Sequence, residues 1–454
     1  MDVHLDDTIV AIATAPGRGG IGVVRVAGPD ALSVASSMLR LKHALEPGRA
    51  TFGELIEPDR GERIDNVVVT YFRKPHSYTT DDIVEISAHG SPVVLRHIVN
   101  LSLARGARLA EPGEFTMRAF LNGRIDLSQA EAIRDLIEAQ TLFQAKVAAQ
   151  QLDGAVSKRL HPIKQKLVEL IALLEAGIDF AEDDVSVLSP TQAIQRLSDI
   201  RKPLEDLAGT FAYGKIVHEG LTLAIVGRPN VGKSSLFNRL VESDRAIVTA
   251  TPGTTRDLVS ETVSLGGIPI TLVDTAGIRV SPDEAESIGI RKTTEALADA
   301  DMVLVVLDTS QPFVGEDNEL LEKVGERAAV AVENKIDIRS SKFLTPPLRL
   351  PHVGTSATTG EGISSLRAEI LRHVSGNDGK ELESGFLTSA RHRSLVGDSI
   401  AALNNAQAAV DTGFPHEMVL LDLYNALRAL DEITGATATD DILNLIFSTF
   451  CIGK

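Results

Sequence analysis

One eight-residue segment constrains the fold of this chain more than any other feature. Residues 227–234 read Gly-Arg-Pro-Asn-Val-Gly-Lys-Ser; they follow the apolar run Leu221–Val226 and precede the helical pattern Ser235–Leu240. This order of strand, glycine-rich loop and helix is the context of a P-loop, in which backbone N–H groups and the amino end of the helix bind phosphate. Lys233 can reach the β- and γ-phosphates, and Ser234 can bind Mg²⁺. The segment therefore predicts a nucleoside triphosphate site.

Short apolar runs with strand character recur on the carboxyl side of this segment. They are Ile270–Val273, Met302–Leu307, Ala329–Val332 and a run around Val353. Helical or loop sequence separates them. Alternation of that kind predicts a mostly parallel sheet with helices on both faces.

Two motifs at the ends of these runs indicate how a nucleotide would be read. Residues 274–277, Asp-Thr-Ala-Gly, place Asp274 near the metal and the N–H of Gly277 near the γ-phosphate. Residues 334–337, Asn-Lys-Ile-Asp, end in a carboxylate that can accept two hydrogen bonds from guanine, from N1–H and from the exocyclic amine. Adenine lacks that pair of donors, so Asp337 favours guanine strongly.

A third motif completes the set. Residues 356–358, Ser-Ala-Thr, stand where a Ser-Ala-Lys element usually reads the guanine carbonyl through a backbone amide. Thr358 in place of Lys removes an aliphatic stem over the base, so we expect weaker nucleotide binding with the same base preference. In this order the motifs resemble the Ras-like GTPase superfamily over residues 218–375, and the resemblance implies GTP as the ligand. The residues expected at the GTP site are Asn230, Val231, Gly232, Lys233, Ser234, Ser235, Thr249, Ala250, Thr251, Pro252, Gly253, Thr254, Thr255, Asp274, Thr275, Ala276, Gly277, Asn334, Lys335, Asp337, Ser356, Ala357 and Thr358.

The sequence on either side of this α/β segment has a different character. Residues 1 to about 120 alternate strand-like runs with Gly, Pro and Asp turns, namely Thr8–Ala13, Gly22–Val26, Asn66–Tyr71 and Ile83–Ser87. From Leu127 the apolar period is helical, with Ser128 as the expected N-cap and Glu131 completing a capping box; Leu127, Ala130, Ile133, Leu136 and Ile137 share one face. A second helical stretch covers Ile163–Leu174, and the residues from Ser389 to Phe450 are again helical in pattern. We therefore predict a multidomain α/β and α+β protein with an N-terminal domain (1–121), a discontinuous helical domain (122–217 and 378–454) and an inserted P-loop domain (218–377).

Composition limits what else the chain can be. With 454 residues, a net charge of −17 and no long apolar run, it has the features of a globular protein that does not grip nucleic acid over a broad basic face. The amino terminus carries Asp2, Asp6 and Asp7 where a signal peptide would be basic, and Cys451 is the only cysteine. Together these features predict a cytoplasmic location without a membrane span.

The first domain contains a glycine-rich segment with the spacing of a dinucleotide-binding motif. Residues 17–22, Gly-Arg-Gly-Gly-Ile-Gly, formally match the dinucleotide-binding fingerprint. The residues that follow, up to Val26, have strand rather than helix character, so no helix amino terminus would face a pyrophosphate. We therefore predict a glycine-rich hairpin here.

Several stretches resemble the MnmE (TrmE) family, and together they extend over essentially the whole chain. They lie at residues 7–10, 25–28, 77–79, 85–90, 112–126, 129–133 and 451–454. The resemblance implies that the first domain has a folate-binding, GcvT/YgfZ-like α+β fold. It also implies that Arg25, Glu85, Arg124 and Lys454 contact a tetrahydrofolate derivative, either the 5,10-methylene or the 5-formyl form; Arg124 stands where Lys is expected. The terminal Cys-Ile-Gly-Lys motif would lie near the folate, which leaves two readings of Cys451 open, a thiol function and a small apolar residue closing the last helix.

The same resemblance implies a catalytic arrangement in the P-loop domain. Ras-like proteins place a water-orienting glutamine after Asp-x-x-Gly, but Ile278 stands there. By family likeness Glu286 takes over that role through a second water, with Asn230 and Lys233 also catalytic. Potassium would be bound by Asn230, Thr254 and backbone oxygens near Thr249 and Thr251, and Mg²⁺ by Ser234 and Thr255. A turn-forming role remains the alternative for Asn230, and a solvated acidic loop the alternative for residues 283–286.

For the whole protein, the resemblance implies a homodimeric, potassium-activated GTPase. With MnmG, an FAD protein, in a heterotetramer or larger assembly, it would place an aminomethyl or carboxymethylaminomethyl group on the wobble uridine of tRNA. One alternative is a GTPase switch in ribosome assembly, although there is no second P-loop, and no Gly-x-x-Gly loop of a KH module follows the P-loop domain (218–377). Another is a folate-dependent aminomethyltransferase with a purely regulatory GTPase domain.

Overall fold

The computed structural model describes residues 6–179, 188–242, 259–274, 300–325, 327–343, 350–375 and 385–453. The chain divides into two compact units. Unit 1 is Met1–Arg134, Leu152–Ser157 and Arg428–Lys454, and unit 2 is Asp135–Gln151 and Lys158–Leu427. The three-domain division given above stays a prediction.

A seven-stranded sheet forms the centre of unit 1. Its strands are β1 (Ile9–Ile12), β2 (Gly19–Ala27), β3 (Leu39–Leu41), β4 (Ala50–Ile56), β5 (Arg63–Phe72), β6 (Ile83–Gly90) and β7 (Arg108–Leu109). Their order across the sheet is β3-β4-β5-β6-β2-β1-β7. Neighbours are antiparallel except β1 and β7, which are parallel. The predicted strands of this region are confirmed, whereas β3, β4 and β7 were not predicted.

The two faces of this sheet differ, as the alternation along β6 shows. Val84, Ile86 and Ala88 are buried, and they pack in a core with α1 (Ala31–Ser36) and α2 (Pro92–Leu103). Glu85 and Ser87 lie on the other face, because successive side chains of a strand point to opposite sides. Arg25 of β2 is the direct register partner of Glu85, so two residues 60 positions apart meet on that face. The predicted hairpin at the glycine-rich segment 17–22 is confirmed. The segment leads into β2, and β2 pairs antiparallel with β1.

The C-terminal helix of unit 1 packs against two helices from earlier in the chain. Phe447 of α14 (Asp440–Phe447) lies in one core with Met117 of α3 (Glu114–Leu121) and with Leu127. Beyond α14 the chain runs back along the first domain, where Ile452 forms an antiparallel bridge with Pro112. This packing is the reason that a C-terminal motif reaches the N-terminal sheet.

Unit 2 contains a six-stranded sheet among its described residues. Its strands are β8 (Leu221–Val226), β9 (Val259–Leu265), β10 (Ile268–Asp274), β11 (Met302–Asp308), β12 (Ala329–Asn334) and β13 (His352–Thr355). The order is β13-β12-β11-β8-β10-β9, and every neighbouring pair is parallel except β9 and β10. Apolar cores cover both faces. The predicted mostly parallel sheet is therefore confirmed, and the antiparallel strand β9 is an addition to it.

The remaining helices have the following bounds. They are α4 (Leu127–Glu138), α5 (Leu142–Leu152), α6 (Ala155–Asp179), α7 (Pro190–Gly209), α8 (Phe211–Glu219), α9 (Lys233–Glu242), α10 (Gly315–Val324), α11 (Ile363–Ser375), α12 (Ala390–Asp411) and α13 (His416–Thr434), with a short 3₁₀ helix at Ile336–Ile338. No helix in the described ranges is both long enough and apolar enough to cross a membrane.

The predicted start of α4 is wrong in detail. Asp126, not Ser128, caps this helix: its Oδ1 accepts from the N–H of Gln129 at 2.9 Å, and its own N–H donates to Oε1 of Gln129 at 2.9 Å. Asp is as good a cap as Ser, and the reciprocal Gln at the third position makes Asp126 the better one. The predicted apolar face is also too wide, because Ile137 is exposed.

Candidate functional site

The P-loop joins β8 to α9 and has a backbone that only glycine permits. Gly232 has φ +97°, and a Cβ there would lie 2.4 Å from Nδ2 of Asn334. A Cβ on Gly227 would lie 2.6 Å from the carbonyl oxygen of Val306. These close approaches leave space for backbone N–H groups rather than side chains, which is what a phosphate cradle requires.

Lys233 begins α9, and its ammonium group is held inside the loop. Its Nζ donates to the carbonyl oxygens of Gly227 and Arg228, each at 2.8 Å, and the side chain is buried. Positive charge is therefore concentrated at the amino end of a helix, where the helix dipole already favours an anion. Ser234 and Ser235 follow as exposed residues in the first turn of α9.

Asn334 connects the P-loop to the loop after β13. Its Nδ2 donates to the carbonyl oxygen of Val231 at 2.9 Å. Its Oδ1 accepts from the N–H of Ala357 at 3.1 Å and from Oγ1 of Thr355 at 3.3 Å. Asn334 is almost completely buried, so these bonds fix three loops against one another.

Lys335 makes a second bridge beside the first. Its Nζ donates to the carbonyl oxygen of Asn230 at 2.8 Å and to Oδ2 of Asp308 at 2.6 Å. Burial alone would raise the pKa of Asp308, but hydrogen bonds from Lys335 and Ser310 outweigh it and hold the pKa below the usual value. Asn230 and Lys335 both have positive φ, +64° and +66°, which each side chain tolerates because its loop is fixed by these bonds.

Asp337, the residue predicted to recognise the base, is at the surface. It lies in the 3₁₀ helix after β12 and is exposed, as is Thr358. Ser356 and Ala357 are buried beneath them. The structure thus brings together Asn230, Val231, Gly232, Lys233, Asn334, Lys335 and Ala357 directly, with Asp337 at the rim.

Arg239 and Asp308 contribute to this site and were missed in the sequence. Arg239 of α9 donates from Nε to the carbonyl oxygen of Ala357 at 3.1 Å and from Nη2 to that of Thr358 at 2.7 Å. The two partners lie more than 100 residues apart in sequence, and an arginine in the middle of a helix has no local signal for such a contact.

Several expected site residues lie outside the described ranges. They are Thr249, Ala250, Thr251, Pro252, Gly253, Thr254, Thr255, Thr275, Ala276, Gly277, Glu286 and Lys454. For Asp274 the backbone alone is described, as the last residue of β10, paired with Ile225 and Val259. The roles of these residues therefore stay predictions.

A second cluster of polar groups lies in unit 1, on the face of its sheet opposite to α1 and α2. Arg25 donates to Oε1 of Glu85 from Nε at 2.9 Å and from Nη2 at 2.8 Å. Both side chains are half-buried, and Oε2 of Glu85 makes no hydrogen bond with the residues that the structure describes. A carboxylate that is paired on one oxygen can accept from a ligand on the other.

Aromatic rings surround the Arg25 guanidinium. The rings of Tyr78 and Phe115 each have their centroid 5.5 Å from Cζ of Arg25. The hydroxyl of Tyr78 is 2.9 Å from Oγ1 of Thr116, and burial raises the pKa of Tyr78. Arg124 lies close by, donating from Nη1 to the carbonyl oxygen of Ser77. Cations, a carboxylate and flat rings at one place fit a ligand with an aromatic amide ring and an acidic tail.

The C-terminal tail reaches this cluster. Nη1 of Arg25 lies 3.5 Å from the carbonyl oxygen of Gly453, and Gly453 itself packs so tightly that a Cβ would lie 2.3 Å from the carbonyl oxygen of Ile12. Cys451 is exposed, and its carbonyl oxygen accepts from the N–H of Gly113 at 3.4 Å. The tail therefore contacts Arg25 through Gly453. The expected nearness of the tail to a folate and a thiol function for Cys451 stay predictions.

The parallel sheet, the glycine-restricted P-loop and the Asn334 bridge define unit 2 as a P-loop GTPase of the Ras-like class. Two family descriptions match the chain as a whole: "MnmE helical domain" over residues 127–451 and "GTP-binding protein TrmE N-terminus" over residues 8–124. The chain belongs to the MnmE family.

Curated relatives agree with this assignment over their full length. The chain is 68% identical over 456 residues to the tRNA modification GTPase MnmE of Koribacter versatilis, covering 100% of both chains. It is 43% identical to the protein of the same name from Aquifex aeolicus, covering 99% of this chain and 100% of the relative. Among solved structures, the G domain of the T. maritima FeoB iron transporter matches 34% of this chain and 98% of that chain at 30% identity, with a TM-score of 0.26.

Proposed function

We propose that this chain hydrolyses GTP as part of the modification of tRNA, with the P-loop holding the phosphates and Asp337 reading guanine. The observation that carries the proposal is the Asn334 bridge, which holds the P-loop at Val231 and the base-side loop at Ala357. An exposed carboxylate three residues further along the same loop can then accept from both guanine donors.

Lys233, Ser234 and Thr255 have separate roles in this proposal. The ammonium of Lys233 is positioned to bind phosphate oxygens, and the hydroxyls of Ser234 and Thr255 are the hard oxygen ligands that Mg²⁺ prefers. When bound, the metal neutralises charge on the phosphates. The first turn of α9 supports this assignment, since it presents Ser234 next to Lys233.

Potassium and Glu286 complete the proposed hydrolytic site. Asn230 is exposed in the loop three residues before Lys233, where its side-chain oxygen can serve a monovalent cation. Thr254 and the backbone oxygens near Thr249 and Thr251 would add further oxygen ligands, and Glu286 would orient the attacking water. These assignments rest on the family resemblance.

The cluster around Arg25 is the proposed site for the one-carbon donor, a tetrahydrofolate derivative. The free oxygen of Glu85 can accept from the pterin amine and ring N–H, while Arg25, Arg124 and Lys454 can pair with the glutamyl carboxylates. Tyr78 and Phe115 supply flat apolar surface beside the Arg25 guanidinium.

The proposed assembly contains two copies of this chain and the FAD protein MnmG, acting on the wobble uridine of tRNA. Phe52 and Val68 are candidates for the contact between two copies: they are cross-strand partners on the same face of the sheet as Glu85 and are 65% and 41% exposed.

Two measurements test the proposal. GTP turnover in KCl should fall at least about tenfold in NaCl, because a cation placed where an arginine finger acts can contribute about 10³ or more. Asn230→Ala should abolish this difference, whereas Asn238→Ala, on the exposed side of α9, should preserve it. Equal turnover in both salts would refute the potassium site.

The modification role has its own test. Mass analysis of wobble nucleosides from a deletion strain should show loss of the modified uridine, restored by the wild-type chain. A normal nucleoside profile in the deletion strain would remove the modification role and favour a GTPase switch without one-carbon chemistry.

A further inference from the structure

The first turn of α5 makes an unusual set of hydrogen bonds, all within unit 2. Thr141 and Gln144 form a capping box: the N–H of Gln144 donates to Oγ1 of Thr141 at 3.1 Å, and the N–H of Thr141 donates to Oε1 of Gln144 at 3.3 Å. The N–H of Gln140 adds a second bond to Oε1 at 2.8 Å. A capping box uses only the acceptor atoms of the two side chains, so their donors remain available for other partners.

Both side chains use their remaining donors to hold the GTPase sheet. Nε2 of Gln144 donates to the carbonyl oxygens of Val217 and His218, each at 2.9 Å. The hydroxyl of Thr141 donates to the carbonyl oxygen of Gly267. The amide orientation of Gln144 is unambiguous, because its oxygen faces two N–H groups and its nitrogen faces two carbonyls.

These three carbonyls lie at the ends of elements that lead to the nucleotide site. Val217 and His218 are in the last turn of α8, just before β8, and β8 ends at the P-loop. Gly267 is in the turn between β9 and β10, and the far end of that hairpin is the pair Val259 and Asp274. The seven-residue strands β9 and β10 each extend about 23 Å, at about 3.3 Å per residue. The contacts of α5 are therefore at the strand ends that lie farthest from the predicted phosphate site.

The contact at Gly267 is close and specific. Gly267 has φ +86°, and a Cβ there would lie 2.6 Å from Cβ of Phe143. By contrast, a cavity of about 150 Å³ lies between α5 and α8, lined in part by Asp135, Val147, Gln151 and His218. Packing between α5 and α8 is therefore incomplete. The bonds of Gln144 hold these two helices together, and Asp135 of α4 adds an ion pair to His218 at 3.0 Å.

We propose that Gln144 is a positioning residue that couples the nucleotide state of the P-loop domain to helix α5. A shift of the hairpin or of β8 on exchange of GDP for GTP would pull on the first turn of α5, because the same two side chains hold both. Coupling is reciprocal, so a change at α5 would also alter the relative affinity for GTP and GDP. This inference rests on the proposed GTP site and extends it by naming the residue through which the site communicates.

Gln144→Glu separates coupling from helix capping. Glutamate keeps the acceptor of the capping box but loses both donors and places a carboxylate against two carbonyl oxygens. A matched control exists in α7, where Gln192 forms the same capping box with Ser189. Gln192→Glu makes the same chemical change at an exposed helix start, where no bond from its side chain to another element is described.

The experiment is hydrogen exchange of the full-length protein with GDP and with a non-hydrolysable GTP analogue, followed in peptides covering 141–152 and 227–240. In the wild type and in Gln192→Glu, the two nucleotides should change exchange in α5 by about fivefold or more, the lower end of typical coupling between sites. In Gln144→Glu the change in α5 should disappear while the P-loop peptide still responds.

The possible results test the coupling role of Gln144 and the proposed GTP site separately. An unchanged α5 in the wild type despite a responding P-loop, or Gln144→Glu behaving as Gln192→Glu does, would overturn the coupling role. A P-loop peptide indifferent to both nucleotides would instead overturn the proposed GTP site. Thr141→Ser, which keeps both hydroxyl bonds, should retain the wild-type response.

Discussion

The side-chain amide of Asn334 donates to the carbonyl oxygen of Val231 at 2.9 Å, so the residue that begins the base-reading motif also holds the P-loop. The two loops that we propose to bind phosphate and base are therefore held together by one side chain. A change in either loop affects the other through a buried hydrogen bond.

Asn334→Asp should weaken GDP binding about 5- to 150-fold, because it replaces the buried donor with an acceptor facing the Val231 carbonyl, at a cost of about 1–3 kcal/mol. Titration with a fluorescent GDP measures the effect. Asn318→Asp is the control: Asn318 is exposed on α10, and the same change there should leave affinity within about twofold. Equal losses in the two variants would show that the bridge does not support binding.

Asp337→Asn should change base preference rather than abolish binding. The amide can donate to a C2 carbonyl, which xanthine has in place of the guanine amine, so affinity for GTP should fall about 100-fold while XTP improves. Competition between GTP, XTP and ATP checks this. If GTP still outcompetes XTP in the variant, Asp337 does not read the base.

Acid should destabilise unit 1 through a buried charge cluster. Arg118 is fully buried and bonds to Glu114 and Asp7, while Arg108 donates to Glu114 at 2.6 Å and to Asp7 at 2.8 Å. Burial alone would raise the pKa of Glu114, but hydrogen bonds from Arg108, the Glu111 N–H and Arg118 outweigh it and lower the pKa. A lowered folded pKa means that the stability is complete above the ordinary value of 4.5 and is lost as the pH falls through the folded value.

Pulse proteolysis across a urea series at pH 7, 5 and 4 measures this loss. Glu114→Gln should destabilise unit 1 by about 3 kcal/mol at pH 7, because it leaves buried guanidinium charge less well paired, and should flatten the pH dependence. Glu46→Gln breaks an exposed pair with Arg49 and should cost less than about 1 kcal/mol. A pH profile in Glu114→Gln as steep as in the wild type would contradict the assignment.

Gly453→Ala should detach the C-terminal tail from unit 1. Its φ of +96° and the 2.3 Å approach to the Ile12 carbonyl leave no space for a methyl group. We expect weaker binding of a reduced folate, measured by calorimetry, because the carbonyl of Gly453 would no longer lie beside Arg25. Gly413→Ala has a similar φ, +72°, with nothing within 4 Å, and should leave folate affinity unchanged. Unchanged affinity for the reduced folate in Gly453→Ala would show that the tail does not contribute to the proposed folate site.

Arg25→Lys should weaken folate binding although it conserves charge. Lysine cannot reproduce the two bonds from Nε and Nη2 to Glu85 or the flat contact with Tyr78 and Phe115. We expect a loss of about tenfold or more, corresponding to about 1.4 kcal/mol. Arg40→Lys, at an exposed pair with Glu54, is the control, and similar affinities for the two variants would count against the proposed site.

Local sequence was informative where the chemistry is local. The P-loop, its strand and its helix were recognisable because the glycines, Lys233 and the apolar run must be adjacent to work. Strands with strong β-branched character, such as Leu221–Val226, were confirmed to the residue. Errors occurred where two local solutions compete, as at α4, where Asp126 with Gln129 formed the capping box in place of Ser128 with Glu131.

What the sequence by itself determined is the class of nucleotide site, the parallel sheet that carries it and the family of the chain. What only the tertiary structure decided is which distant residues share a site: Arg25 with Glu85 and Gly453, Asn334 with Val231, and Gln144 with the end of α8. The physical reason is that a periodic pattern reports which side of an element is buried, whereas strand register and helix packing decide which two sides meet.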